Sequence, residues 1–102
     1  MKEILLVCGT GASSGFMAKN IRQAAKARDM EWSVRARSDS VVEDYIDEID
    51  LLLVGPHLAY MLDDLEEIAD PYGVPVAIIP KEAYGNLDGD AVCDFALQYL
   101  GE

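Results

Sequence analysis

A chain of 102 residues can bury one hydrophobic core but not two, which predicts a single domain over residues 1–102. Its 19 acidic residues against 8 basic ones give a net charge of -11, so nucleic acid and anionic membrane surfaces are poor partners. Two cysteines make no disulfide framework, and one histidine without clustered cysteines makes no zinc site; no metal or cofactor is expected. Apolar runs of only a few residues predict no direct membrane insertion, and the absence of a signal-like leader predicts a cytoplasmic protein.

In chain order, residues 3 to 8 predict a strand covered on both faces, because Ile4-Leu5-Leu6-Val7 is continuously apolar. A helix follows from about Ser14 to Arg28, with Met17, Ile21, Ala24 and Ala25 on its buried face and Ser13 as N-cap. Glu31 to Arg37 alternates apolar with polar residues, the pattern of an edge strand. Ser40-Val41-Val42-Glu43 matches a capping box and opens a short helix carrying Val42, Tyr45, Ile46 and Ile49.

Residues 50 to 55 predict a second central strand, closed by Gly55-Pro56-His57. Leu58, Met61, Leu62, Leu65, Ile68 and Ala69 have the spacing of a regular helix, ended by Pro71-Tyr72-Gly73. Val74 to Ile79 predicts a fourth strand, which Pro75 places at an edge or marks at its beginning. A loop from Pro80 to Gly89 leads to a last helix, capped by Asp88 or Asp90, with Ala91, Val92, Phe95, Ala96 and Tyr99 inward and Cys93 packed.

Alternating strands and helices with short connections predict an α/β fold, a small doubly wound four-stranded parallel sheet with helices on both faces. The apolar strands 1 and 3 belong at its centre and the alternating strand 2 at its edge, giving the order 2-1-3-4. In that order the Gly55-Pro56-His57 turn emerges beside the segment that leaves strand 1.

That segment is Cys8-Gly9-Thr10-Gly11-Ala12-Ser13-Ser14-Gly15, a P-loop-like cysteine loop between a strand and a helix. Small residues before a helix N-terminus let several backbone N–H groups converge on an anion, and the same donors favour thiolate over thiol. Cys8 is thus the candidate nucleophile, and Gly9 to Gly15 the candidate phosphate cradle. A dinucleotide fingerprint is excluded because its last glycine would fall one residue earlier, and a nucleotide P-loop because the loop has no lysine. His57 either contacts the phosphate or is a turn histidine satisfied by backbone or water. Tyr84 either reaches the same rim or packs with its hydroxyl in water.

The run Cys8-Gly9-Thr10-Gly11-Ala12-Ser13-Ser14 resembles the C-x-x-G-x-S-S loop of the enzyme IIB components of the bacterial sugar phosphotransferase system, lactose/cellobiose type. The resemblance continues in Leu53-Val54-Gly55-Pro56-His57, Tyr60-Met61-Leu62 and Asp94-Phe95-Ala96-Leu97, with His57 where the family usually has glutamine. It implies a phosphotransferase in which Cys8 accepts a phosphoryl group from a phosphohistidine on a IIA component. The acceptor implied is a sugar, a β-glucoside or disaccharide such as cellobiose or lactose, taken up through the membrane permease IIC. Gly9 to Gly15 would hold the phosphate through backbone donors and the hydroxyls of Thr10, Ser13 and Ser14.

Two other readings fit a cysteine loop. A small cysteine-dependent phosphatase places an arginine six residues after its nucleophile, where this chain has Ser14, and the loop has no cation at all. A noncatalytic module that senses phosphorylation is compatible with the same loop.

Overall fold

The computed structural model describes residues 2–7 and 14–101. Four strands, β1 (Lys2–Val7), β2 (Trp32–Arg37), β3 (Leu51–Val54) and β4 (Val76–Ile78), form one parallel sheet in the order β2-β1-β3-β4. The order and the parallel pairing are those expected from the strand patterns. Five α-helices connect and cover the described strands: α1 (Ser14–Ala27), α2 (Val42–Tyr45), α3 (Leu62–Ala69), α4 (Lys81–Gly85) and α5 (Gly89–Leu100).

The unbroken apolar runs of β1 and β3 have a direct structural reason. Successive side chains in a strand point to opposite faces, so a strand covered on both sides needs every residue apolar. Ile4 and Leu6 of β1 pack with Leu51 and Leu53 of β3 beneath α1 and α5, against Met17, Ile21, Val92 and Ala96. Leu5 and Val7 pack with Leu52 and Val54 on the other face, against Val42, Ile46, Leu58, Leu65 and Ala69. All eight strand residues are fully buried, each contributing on the order of 1.5–3 kcal/mol of apolar transfer. The edge strand β2 keeps its alternation, with Trp32 and Val34 buried, and the Arg22 guanidinium donates to the Val34 carbonyl at 2.7 Å.

Several local expectations are corrected. The cap before α2 is Ser38, whose hydroxyl accepts from the Ser40 N–H at 3.3 Å, and a 3-10 turn over Asp39–Val41 precedes the helix, so the Ser40 capping box does not form. The run with helical spacing after β3 is not one regular helix. Gly55 and Pro56 start a 3-10 turn over Pro56–Met61, within which Leu58 is non-helical at φ -103° and ψ 16°, and α3 begins only at Leu62. The loop expected from Pro80 to Gly89 contains α4. Pro75 lies just before β4, as its missing N–H allows, and its carbonyl accepts from the Leu52 N–H at 3.0 Å. Asp88 caps α5 by accepting from the Ala91 N–H at 3.1 Å. Tyr99, expected inward, is 43% exposed and lies edge-on to Phe95 at 5.4 Å.

The start of α5 is clamped to α1. The Asn20 side-chain amide donates to the Leu87 carbonyl at 2.9 Å, and the Arg28 guanidinium pairs with Asp94 at 2.6 Å and Asp90 at 3.4 Å. Gly89 sits so close to α1 that a Cβ there would collide with the Asn20 backbone carbonyl. Gly89→Ala should therefore cost about 2 kcal/mol, or roughly 10 °C in Tm, in thermal unfolding followed by circular dichroism. Gly85→Ala, where a Cβ meets open space, is the control and should shift Tm by far less.

Candidate functional site

The carboxyl ends of β1, β3 and β4 define one edge of the molecule. Val7 is in register with Val54, and Val54 with Ile78. One residue further, the Gly55 N–H donates to the Val7 carbonyl and the Ile79 N–H to the Val54 carbonyl, both at 2.9 Å. Cys8 is the residue after Val7 in the sequence, and the described residues resume at Ser14, where α1 begins. Cys8, Gly9, Thr10, Gly11, Ala12 and Ser13, and with Ser13 the expected cap of α1, lie outside the described residues, as does the Ser14 side chain. Gly15, in the first turn of α1, is exposed.

Two other expected residues are brought together here. After β3 the chain turns at the buried Gly55 and is fastened by the Leu58 N–H to the Gly55 carbonyl at 2.9 Å, with Leu58 itself buried. Between them His57 is exposed. After β4, the buried Ile79 leads through Pro80 into α4, where the Tyr84 N–H donates to the Pro80 carbonyl at 3.0 Å. Ala83 is buried, and the neighbouring Tyr84 ring comes to 5.6 Å from the His57 ring at an interplanar angle of 56°. His57 and Tyr84, each of which the sequence allows either at this rim or in a purely structural role, thus form one aromatic pair, with Tyr84 also packed against the core.

A further feature was missed by motif reasoning and is visible in charge placement. Each of the other described α-helices carries an acidic residue in its first turn: Glu43 and Asp44 in α2, Asp63 and Asp64 in α3, Glu82 in α4, and Asp90 in α5. These carboxylates complement the positive end of each helix. The first turn of α1 has none. In a chain of net charge -11, the one described α-helix whose positive end is left without a carboxylate is the one after Cys8.

The second cysteine has a different environment. Cys93 is fully buried on the inner side of α5, where its thiol lies 3.5 Å from the Ile21 carbonyl. Burial pushes its pKa up to about 11, only partly offset by the nearby Arg28 guanidinium. An open groove between α1 and α5 includes Asp88 and Asp90 in its lining, carboxylates that would repel an anion. Among the described residues no three His, Cys, Asp or Glu side chains gather as metal ligands, and no helix is long and apolar enough to cross a membrane.

A family model described as the lactose/cellobiose-specific IIB subunit of the PTS, the sugar phosphotransferase system, matches residues 3–95. The chain belongs to this family. It is similar to the oligo-beta-mannoside-specific EIIB component of Bacillus subtilis, with 28% identity over 98% of this chain and 97% of that one. It is also 28% identical, over 91% of its own length, to a segment making up 16% of the lactose-specific EIICB component of Lacticaseibacillus casei. Among solved structures it is similar to a lactose-specific IIB component domain from Streptococcus pneumoniae, with TM-score 0.87, 16% identity and 96% of each chain covered. At that identity the likeness speaks for the fold. As a IIB component, the chain is a phosphotransferase.

Cys93 should stay unmodified when the native IIB chain is pulsed with iodoacetamide near neutral pH and mapped by peptide mass, and should react after denaturation. Because its folded pKa is raised, the thiol favours the folded state while protonated, and that contribution is lost as pH rises from about 9 toward about 11. The stability difference between the wild type and Cys93→Ala should narrow across that interval in denaturant titrations.

Proposed function

We propose that this chain is the phosphoryl carrier of a sugar phosphotransferase system, with Cys8 as the carrying residue. The observation that supports the assignment most is the acid-free positive end of α1, immediately after the loop that begins with Cys8. A thiolate or a phosphothiolate at such a place is stabilised by the helix dipole, and carboxylates in the first turn would remove the advantage. Gly9 to Gly15 supply backbone N–H donors to the phosphoryl oxygens, helped by the hydroxyls of Thr10, Ser13 and Ser14.

The Cys8 thiolate attacks the phosphorus of a phosphohistidine on a IIA component. The S–P bond forms as the N–P bond breaks, and the donor imidazole keeps the electron pair. In the second transfer a sugar hydroxyl attacks the same phosphorus, the S–P bond breaks, sulfur leaves as thiolate and the hydroxyl proton passes to a base. The sugar class is a β-linked oligosaccharide, in keeping with the family's lactose/cellobiose description and the oligo-beta-mannoside relative. The permease IIC is the acceptor-side partner, a reading supported by the relative whose name joins the C and B components in one polypeptide. The transfers take place in the cytoplasm.

Retention of the phosphoryl group, rather than hydrolysis, is the outcome the loop's chemistry favours. A hydrolytic cysteine enzyme clamps phosphate with a loop arginine, and here the sixth residue after the cysteine is Ser14, with no lysine or arginine from Cys8 to Gly15. The test is intact-mass spectrometry after incubation with phosphoenolpyruvate, the general phosphotransferase proteins and a IIA component. Wild type and Cys93→Ser should gain one phosphoryl group, and Cys8→Ser should fold normally and gain none. A gain by Cys8→Ser, or none by wild type with a competent IIA, would overturn the assignment.

A further inference from the structure

The cations of this acidic chain are gathered in one region. Residues 14–37 hold six of the eight lysines and arginines with two acidic residues, whereas residues 38–80 hold eleven acidic residues and no lysine or arginine. α1 itself carries Lys19, Arg22 and Lys26 and no carboxylate. Among the described residues the ion pairs are those of Arg28 and Arg35, so no described carboxylate compensates Lys19 or Arg22. Phe16, one helical turn before Lys19, is 61% exposed. Gly15, Phe16, Lys19 and Arg22 line one open groove, in which the Arg22 guanidinium is held by the Val34 carbonyl at 2.7 Å. Arg37, exposed at the end of β2 and in register with Val7, adds a cation at the carboxyl end of the sheet. A single exposed aromatic is ordinary, but one bordered by uncompensated cations has the make-up of an interface anchor with a charged rim.

We propose that this groove, with Phe16 as its anchor and Lys19 and Arg22 around it, is the docking surface for an acidic face of the IIA phosphohistidine donor. The inference rests on the carrier reading. Charge complementarity selects the occupant. An acidic partner approaching residues 38–80 meets carboxylates without a single lysine or arginine, and like charges brought together across an interface are strongly disfavoured. The same partner is attracted at α1, where cations stand without carboxylates. A loaded donor also presents a phosphoryl group with close to two negative charges, and loses them once the group is handed over. The groove therefore holds the loaded donor more tightly than the spent one, which favours release after transfer. Phe16 contributes burial at the centre of the contact, while the cations steer the encounter. An anionic lipid surface is the poorer match, because a broad plane of charge would face the net -11 of the whole molecule rather than one patch.

The experiment reads initial rates of phosphoryl uptake by quenched-flow intact mass, with a dilute phosphorylated IIA component as donor. It compares wild type with Phe16→Ala, Lys19→Glu and Lys2→Glu, the last making the same charge change at the amino end of the sheet. Lys19→Glu should lower the second-order rate constant about tenfold in dilute buffer, and the difference should shrink to about twofold at roughly 0.5 M salt, where screening is strong. Phe16→Ala should lower it about tenfold at both salt concentrations. Lys2→Glu should stay within about twofold of wild type, and all four proteins should reach the same final phosphorylated fraction, because the substituted side chains are not in the core. A rate within twofold of wild type for either groove variant, or a loss of equal size in Lys2→Glu, overturns the inference and leaves the carrier reading standing. So does a normal uptake rate with slowed onward transfer to the permease's sugar, which would make the permease the occupant. Absence of any phosphoryl gain by wild type overturns both.

Discussion

The pairing of β1 with β3 is the constraint on which the rest of the molecule depends. Four residues of each strand are fully buried, alternately on the two faces, so both faces must be roofed and the chain has to wind in both directions from this pair. α1 and α5 cover one face, while α2, α3 and the turn after β3 cover the other. Where the winding reverses, β1 and β3 end side by side, and open α/β sheets bind their ligands at such a point. The residue after Val7 is a cysteine and the turn after Val54 carries the histidine. The core requirement and the position of the proposed site thus both follow from one ladder, closed by the hydrogen bond from the Gly55 N–H to the Val7 carbonyl.

Charge is arranged with the same economy. An excess of carboxylates would ordinarily oppose phosphate binding, but in the first turns of α2 to α5 they complement helix ends. The start of α1 is exempt, leaving a small positive end in an acidic protein. Such a site favours an anion without a clamp of arginines from the loop, and in the carrier role proposed above a phosphocysteine that must survive until the acceptor arrives would benefit from the milder setting. The two cysteines divide along the same line. Cys93 is a buried packing residue whose thiol is held protonated by desolvation, whereas Cys8 comes directly after a strand and precedes a helix N-terminus.

The sheet was legible because its signal is local and strong: unbroken aliphatic runs for β1 and β3, alternation for β2, and a proline beside β4. Helix α1 and the inward faces of α1 and α5 emerged from spacing for the same reason, Tyr99 excepted. Where expectation failed, a weak local signal met a tertiary demand. Ser38 and Ser40 are equally good caps by composition, and only the course of the chain out of β2 decides for Ser38. Leu58 has helical spacing with Met61 and Leu65, but the Gly55-Pro56 entry forces a tighter turn that buries Leu58. Helix α4 is invisible to periodicity because it buries only Ala83. At the candidate site, the nucleophile and the two rim residues could be nominated from placement, but the meeting of His57 with Tyr84 is a property of two connections adjacent only in space.

The most direct test of the account is phosphorus-31 NMR of the chain after phosphorylation through the phosphoenolpyruvate-dependent proteins, because the resonance reports which atom bears the phosphoryl group. A sulfur-bound phosphoryl resonance that persists in buffer and disappears when membranes containing the IIC permease and its sugar are added is the result the account predicts. A nitrogen-bound resonance, which would place the group on His57, or a sulfur-bound one that decays to inorganic phosphate without an acceptor, would contradict it.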